Sequence, residues 1–335
     1  MRMAEKPRVY VTDFIAEPCE IERRILGDIA DVVALDVPDE SHLPGKIDDA
    51  AAIMMYHCVR MSAPLIKRLQ NCKLIIRCGV GYDNIDISTA RAQGIPVANV
   101  PDYGTEEVAD SAIGMSLALA RGFNLHNVRL QRGEGQWTHE AAVPLRRLRG
   151  RIFGIVGLGR IGCAVALRAK ALGMNVVFYD PFVPDGKEKA LGVRRVDSLD
   201  ELLAKSYILS VHCPGTEETR SLIDTEAISK MSQGSYLVNT ARGFITEPNA
   251  ILEALTCGHL AGAAIDVLPE EPPPADSLFL SAWRDPAHPA SVRLILNPHS
   301  AFYSEEGMED MRIKGSENCR RALLGIPLRN IVNDL

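Results

Sequence analysis

The sequence predicts an α/β protein built from two doubly wound domains with parallel sheets. Three observations carry that prediction. Residues 151–180 (RIFGIVGLGRIGCAVALRAKALGMNVVFYD) read as strand, glycine-rich turn, helix and second strand. Upstream, short β-branched runs alternate with helical stretches through about residue 100, the pattern of a parallel sheet with helices on both faces. The length of 335 residues is enough for two such domains.

Within the 151–180 unit, the apolar run 152–156 is the first strand and Gly157-Leu158-Gly159-Arg160-Ile161-Gly162 the turn. A helix follows, with Gly173 placed to end it, because a residue without Cβ adopts the left-handed conformation cheaply. The second strand, 176–179, stops at Asp180. This arrangement is a Rossmann-like dinucleotide fingerprint, G-x-G-x-x-G with an acid at the end of the next strand. Gly157 permits the tight turn, Gly159 lets a pyrophosphate approach the backbone, and Gly162 allows helix and strand to pack closely. The first N–H groups of the helix, at Arg160 and Ile161, face the phosphates with the helix dipole behind them. Asp180 suits two ribose hydroxyls and repels a 2′-phosphate, so the expected cofactor is NAD rather than NADP.

Before the fingerprint, strands are expected at 9–12, 32–35, 51–55, 74–77 and 97–100, with helices at 20–26 and 62–69. Residues 105–130 read as one long helix opened by Thr105, Glu106 and Glu107, crossing from the first domain into the second. Residues 133–149 are polar and irregular, either a dimer arm carrying Trp137 or a loop. In the second domain, helices are expected at 199–203 and 248–255, and strands at 208–212, 237–239, 263–267 and 294–296. A last helix over about 305–324 should return to the first domain. The expected boundaries are 1–104 with 305–335 for a discontinuous substrate domain and 105–304 for the NAD domain, with the active site in the cleft between them.

A net charge of −6 and a pI near 5.8 argue against non-specific nucleic-acid binding. No run approaches the roughly 18 apolar residues of a membrane span, and no signal peptide is visible. The eight cysteines form no C-x-x-C pair, which together with the missing leader reads as a reduced, cytoplasmic protein. His42, His126, His139, His259 and His288 show no ligand spacing, so no metal is expected.

Three stretches at expected strand ends carry the chemistry: Asn239-Thr240-Ala241-Arg242-Gly243, the run from Asp266 to Glu271-Pro272, and Asn297-Pro298-His299-Ser300-Ala301. Ligands in open α/β sheets bind beyond the carboxyl ends of the strands. Reducing a carbonyl needs a proton donor and a holder for the substrate carboxylate besides the hydride source. Histidine titrates near neutrality, so His299 suits the acid. Glu271 can pair with it and orient it, and Arg242 offers a planar donor fork to carboxylate and carbonyl oxygens.

With these segments the chain resembles the D-isomer-specific 2-hydroxyacid dehydrogenases over nearly its whole length. The resemblance implies Arg242, Glu271 and His299 as catalytic residues. It implies that residues 78–86 (CGVGYDNID) hold the substrate carboxylate on the N–H groups of Val80 and Gly81. It places Asp266 and Ser300 by the nicotinamide, and His212, Cys213, Pro214, Thr240 and Ala241 along the cofactor cleft. Within the family, Met55-Tyr56-His57, Arg77, residues 83–87 and Phe302-Tyr303-Ser304-Glu305 are similar to the C-terminal-binding-protein branch of co-repressors. That likeness adds Arg77 and Phe302 to the substrate side, with Phe302 standing where the branch carries a tryptophan.

Several positions admit two readings. His57 suits a substrate contact or a structural hydrogen bond. Arg77 suits the substrate carboxylate or an ion pair with a nearby acid. Asp110 suits a helix cap or an inter-domain bond, and Cys78 reads as a small buried residue rather than a redox sensor. Residues 272–298 look longer than usual for the family, and Trp283 there either borders the active-site mouth or packs beneath a surface loop. The expected activity is reversible hydride transfer between NADH and C2 of a 2-oxo acid, by a homodimer. A formate dehydrogenase is disfavoured, since Glu271 stands where that enzyme has glutamine. The reading from another class is an NADH-sensing, co-repressor-like binding module.

Overall fold

The computed structural model describes residues 5–335. They form two compact units: one runs to Gly104 and resumes with Ser304–Leu335, and the other is Thr105–Tyr303.

The first unit is a five-stranded sheet of β1 (Arg8–Val11), β2 (Asp31–Ala34), β3 (Ala50–Met55), β4 (Ile75–Arg77) and β5 (Val97–Asn99). All pairs are parallel and the order is 2-1-3-4-5, the flavodoxin-like arrangement. All six residues of β3 are buried, as a central strand covered on both faces requires. The closing helix, Glu305–Leu324, is capped by the Ser304 hydroxyl accepting from Gly307 N at 2.8 Å. It packs against the Glu20–Leu26 helix and β3. Gly315 makes that approach possible, since a Cβ there would lie 2.7 Å from Cys78 Sγ and 3.1 Å from Met54 Cε. The two helices are tied by a fork: Arg312 Nε and Nη2 each donate at 2.7 Å to the fully buried Glu22 carboxylate. The Glu22 hydrogen bonds hold the Arg312 guanidinium above its ordinary value.

The second unit is a seven-stranded sheet of β6 (Ile152–Val156), β7 (Asn175–Tyr179), β8 (Arg194–Arg195), β9 (Ile208–Val211), β10 (Ser235–Asn239), β11 (Leu260–Ile265) and β12 (Leu294–Leu296). Its order, 12-11-10-9-6-7-8, is the 3-2-1-4-5-6 Rossmann order with one strand added, again all parallel. Alternate residues feed two cores. Phe153, Ile155, Tyr236 and Val238 pack on one face, and Val156, Leu237 and Ile265 on the other. The parallel two-domain architecture expected from the strand–helix alternation is therefore present.

Other expectations need correction. Residues 105–130 are two helices, Thr105–Ala120 and Phe123–Gln131, and both lie wholly in the second unit. Gly122 separates them at φ +70°, a left-handed break invisible to hydrophobic periodicity. The 62–69 helix shrinks to Ala63–Ile66. Short helices at Ile87–Ala92, Lys187–Leu191 and Thr225–Lys230 were not expected, nor was the two-residue strand β8, because none spans a full amphipathic repeat. The segment 272–298 folds into helices Leu278–Arg284 and Ala290–Arg293. Trp283 there packs against the core and donates from Nε1 to Leu294 O at 3.1 Å. Among the described residues Asp110 forms neither a cap nor an inter-domain bond: it accepts from Arg168 Nε at 2.5 Å, inside the second unit. Cys78 is fully buried, which pushes its thiol up to about 12. No described helix is long and apolar enough to cross a membrane.

Removing Glu22 would leave the Arg312 charge without its partner. Glu22→Ala should therefore cost about 3 kcal/mol, the low end for a broken buried pair because Arg312 keeps some water contact. Urea denaturation of the two proteins checks this; equal midpoints would show that the fork contributes nothing.

Candidate functional site

The second unit brings most of the expected residues to the carboxyl edge of its sheet. The strand order reverses between β6 and β9, and the glycine turn follows β6 while His212, Cys213 and Pro214 follow β9. These two segments touch. Gly157 sits at φ +90°, where a Cβ would come 2.6 Å from Cys213 N. A Cβ on Gly162 would lie 2.2 Å from Gly157 O, so the Arg160–Ala171 helix rests directly on the turn. Gly159 differs: nothing among the described residues lies within 4 Å of where its Cβ would be. The helix starts there with no side-chain cap, leaving first-turn N–H groups for an anion.

Asp180 is fixed beside this turn. Its Oδ2 accepts from Leu158 N at 2.8 Å and its Oδ1 from Phe182 N at 2.9 Å. Across the edge, the Thr240 hydroxyl is buried and has no hydrogen-bond partner among the described residues. An open glycine at an uncapped helix start, a fixed acid and an orphaned buried hydroxyl are what a dinucleotide would satisfy, so the residues fit NAD. His212 holds its place through Ser210, whose Oγ lies 2.8 Å from Nε2, and burial lowers its pKa to about 3. It is therefore neutral.

Loops after β10, β11 and β12 carry Arg242, Glu271 and His299. Fully buried Asn239 builds the first loop by accepting from Ala241 N at 3.0 Å and donating to Arg242 O at 2.9 Å. Gly215, not singled out in the sequence, and Gly243, which closes the 239–243 stretch, then set the position of Arg242. A Cβ on Gly215 would lie 2.7 Å from Arg242 Cγ, and one on Gly243 only 1.9 Å from Leu268 C. The Arg242 loop thus lies backbone against backbone on the loop that leads to Glu271. Glu271 in turn accepts from Leu268 N at 2.7 Å through Oε1, and its Oε2 lies 2.6 Å from His299 Nδ1.

Asp266 shapes the third loop. It is 2% exposed, its Oδ1 accepts from Ser300 N at 2.9 Å and Ala301 N at 3.1 Å, and its carbonyl accepts from His299 N at 2.8 Å. The turn so formed holds His299 at φ +52°, uncommon for a residue with a Cβ. Burial raises the Asp266 carboxyl above its ordinary value despite those N–H contacts. Phe302 meets His299 edge to face, ring centroids 6.1 Å apart.

His57, Arg77, Val80 and Gly81 lie instead in the first unit: His57 follows β3, Arg77 is the last residue of β4, and Val80 and Gly81 follow it. Asp13, another residue not singled out, is fully buried and accepts from Tyr56 N at 2.9 Å and Cys58 N at 2.8 Å, which fixes the loop bearing His57. Arg77 is buried and donates to Cys78 O at 2.7 Å. It folds across Gly79, where φ is +148° and a Cβ would lie 1.4 Å from the guanidinium. The carbonyls of Gly79 and Val80 are engaged by Val100 N and Asn99 Nδ2. Among the described residues, the N–H groups of Val80 and Gly81 donate to no backbone carbonyl, so the loop is tied down through its acceptors with donors to spare. No group of three or more His, Cys, Asp or Glu among the described residues could hold a metal ion.

Burial tends to raise the Glu271 carboxyl, but the His299 and Leu268 contacts outweigh it and hold the group below its ordinary 4.5. Its contribution to stability is therefore complete above that pH and is lost as pH falls through the depressed value. Glu271→Gln should flatten the acid side of the stability curve, read from urea midpoints between roughly pH 3 and 7. Parallel curves for the two proteins would contradict the depressed value.

The profile of the family described as D-isomer specific 2-hydroxyacid dehydrogenase, NAD binding domain, matches residues 113–301. The chain is 34% identical to C-terminal-binding protein 1 of Caenorhabditis elegans, over 96% of this chain and 44% of that protein. It is 33% identical to D-3-phosphoglycerate dehydrogenase of Methanocaldococcus jannaschii, over 97% of this chain and 59% of that one. The chain thus spans about half the length of these curated relatives. Among solved structures, D-lactate dehydrogenase from Aquifex aeolicus, complexed with NAD and lactic acid, superposes with a TM-score of 0.84 at 28% identity, covering 95% of this chain and 96% of that one. The chain belongs to the D-isomer-specific 2-hydroxyacid dehydrogenase family, and its Thr105–Tyr303 unit carries the family's NAD-binding domain.

Proposed function

We propose that the protein reduces a 2-oxo acid to a D-2-hydroxy acid with NADH, and runs the reverse oxidation with NAD. The observation that carries this reading is the Glu271–His299 pair set beside the Arg242 loop on the edge that bears the dinucleotide fingerprint. The bound cofactor supplies the hydride. His299 supplies the proton to the oxygen on C2. With Nδ1 committed to Glu271, Nε2 is the nitrogen that serves the substrate. Arg242 orients the carbonyl and carboxylate oxygens through its donor fork. The carboxylate itself rests on the N–H groups of Val80 and Gly81, with His57, Arg77 and Phe302 on the substrate side. Asp180, an acid fixed by two backbone N–H groups, favours NAD over NADP.

The reading extends to a cytoplasmic protein and to a homodimer. The homodimer is supported by exposed apolar side chains within residues 123–143: Phe123 at 63%, Trp137 at 89% and Val143 at 63%. Sedimentation should give the mass of two chains. The likeness to C-terminal-binding protein 1 favours one alternative, an NADH-sensing binding module with little turnover.

NADH oxidation should be measured on glyoxylate, hydroxypyruvate, pyruvate, phenylpyruvate and 4-methylthio-2-oxobutyrate. His299→Ala should lower kcat on the best acid by about 100-fold or more, the range for losing a general acid, with NADH affinity nearly intact. Normal turnover in that variant removes His299 from the mechanism. Tight NADH binding by the unaltered protein without turnover on any acid would move the assignment to the binding module.

A further inference from the structure

Phe14 has no assigned role, and its conformation calls for one. It follows β1 by three residues, 39% exposed, with φ at +69°. Ile15 N donates to Asp13 O at 2.8 Å, so Phe14 is the central residue of a three-residue γ-turn of the positive-φ kind. That turn is rare, and for a bulky side chain the left-handed region is an outlier. Such strain persists only where its surroundings over-determine it, and it gathers at ligand-binding positions. Here the anchor is Asp13, fully buried and bonded to the N–H groups of Tyr56, Cys58 and Val59. One residue therefore serves both: the Asp13 backbone carbonyl closes the turn that lifts Phe14, and its carboxylate holds the loop that carries His57.

The effect is to stand an aromatic ring at the carboxyl edge of the first sheet. Phe14 meets His57 edge to face with centroids 4.6 Å apart, and leans on buried Tyr56 at 5.6 Å. Val80 is likewise three residues past its strand, β4, and β3 lies between β1 and β4. Two strand spacings put the Phe14 turn roughly 10 Å from the Val80 loop. A substrate whose carboxylate rests on that loop reaches Phe14 only through an extended apolar side chain. A two-carbon acid such as glyoxylate ends well short of it.

We propose that Phe14, backed by His57, is a specificity-determining residue that selects 2-oxo acids with an aryl or comparably long apolar side chain. This rests on the reading of the protein as a 2-oxo-acid reductase. The ring offers edge and face contacts to an aryl group, and a polar or phosphorylated side chain finds no matching partner in it.

The test is the ratio of kcat/KM on phenylpyruvate to that on glyoxylate, for the unaltered protein, Phe14→Ala and Phe14→Gly. The unaltered protein should prefer phenylpyruvate, and both variants should lower the ratio about tenfold, the scale of one aromatic contact. Phe14→Gly relieves the backbone strain, so it should fold at least as well and decides the matter if Phe14→Ala does not fold. Turnover with an unchanged ratio in the glycine variant overturns the role of Phe14 and leaves the reductase intact. A preference for glyoxylate in the unaltered protein overturns it as well. Absence of turnover on every acid overturns the reductase reading and this inference together.

Discussion

The buried carboxylate of Asp266 is the constraint on which the candidate site depends. Two backbone N–H groups converge on one of its oxygens, while its own carbonyl takes the His299 amide. The chain after β12 then has no relaxed path, and His299 is held in a left-handed turn. From that turn its Nδ1 meets Glu271, which is itself pinned by the amide of Leu268. Strain at one residue is thus the counterpart of rigidity at the next. A buried acid that satisfies two amides offsets a backbone conformation that the histidine alone would not adopt.

Glycines perform the complementary task of removing distance. Gly157 lets the turn after β6 meet the backbone after β9, Gly162 seats the helix on that turn, and Gly243 presses the loops after β10 and β11 together. In each case the neighbour is main chain, which cannot rotate away as a side chain would. The geometry of this edge is therefore set by backbone contacts and is insensitive to rotamer changes nearby.

Much of this was legible in the sequence, for a reason that also explains what was not. The fingerprint around Gly157 and Asp180 is local, so its spacing displays its geometry, and the alternation of short apolar runs displays parallel sheets. The approach of Gly243 to Leu268 joins residues far apart in sequence, and nothing near Gly243 announces it. Gly122 failed to show because a single left-handed residue breaks a helix without disturbing the apolar repeat on either side. Trp283 was ambiguous because a tryptophan in a proline-rich segment looks the same whether it faces a ligand or a core; its bond to Leu294 O decides. Asp13 lay in an unremarkable loop, and only the folded chain shows three amides converging on it.

The fork between Glu22 and Arg312 spans 290 positions of the chain. During synthesis the early strands emerge long before the helix that covers them, while the whole Thr105–Tyr303 unit is made in between. The five-stranded sheet must therefore wait with Gly315's partners, Cys78 and Met54, uncovered, and with Glu22 facing water. The second unit can therefore close on itself before the first is complete, and the first is sealed from its far end.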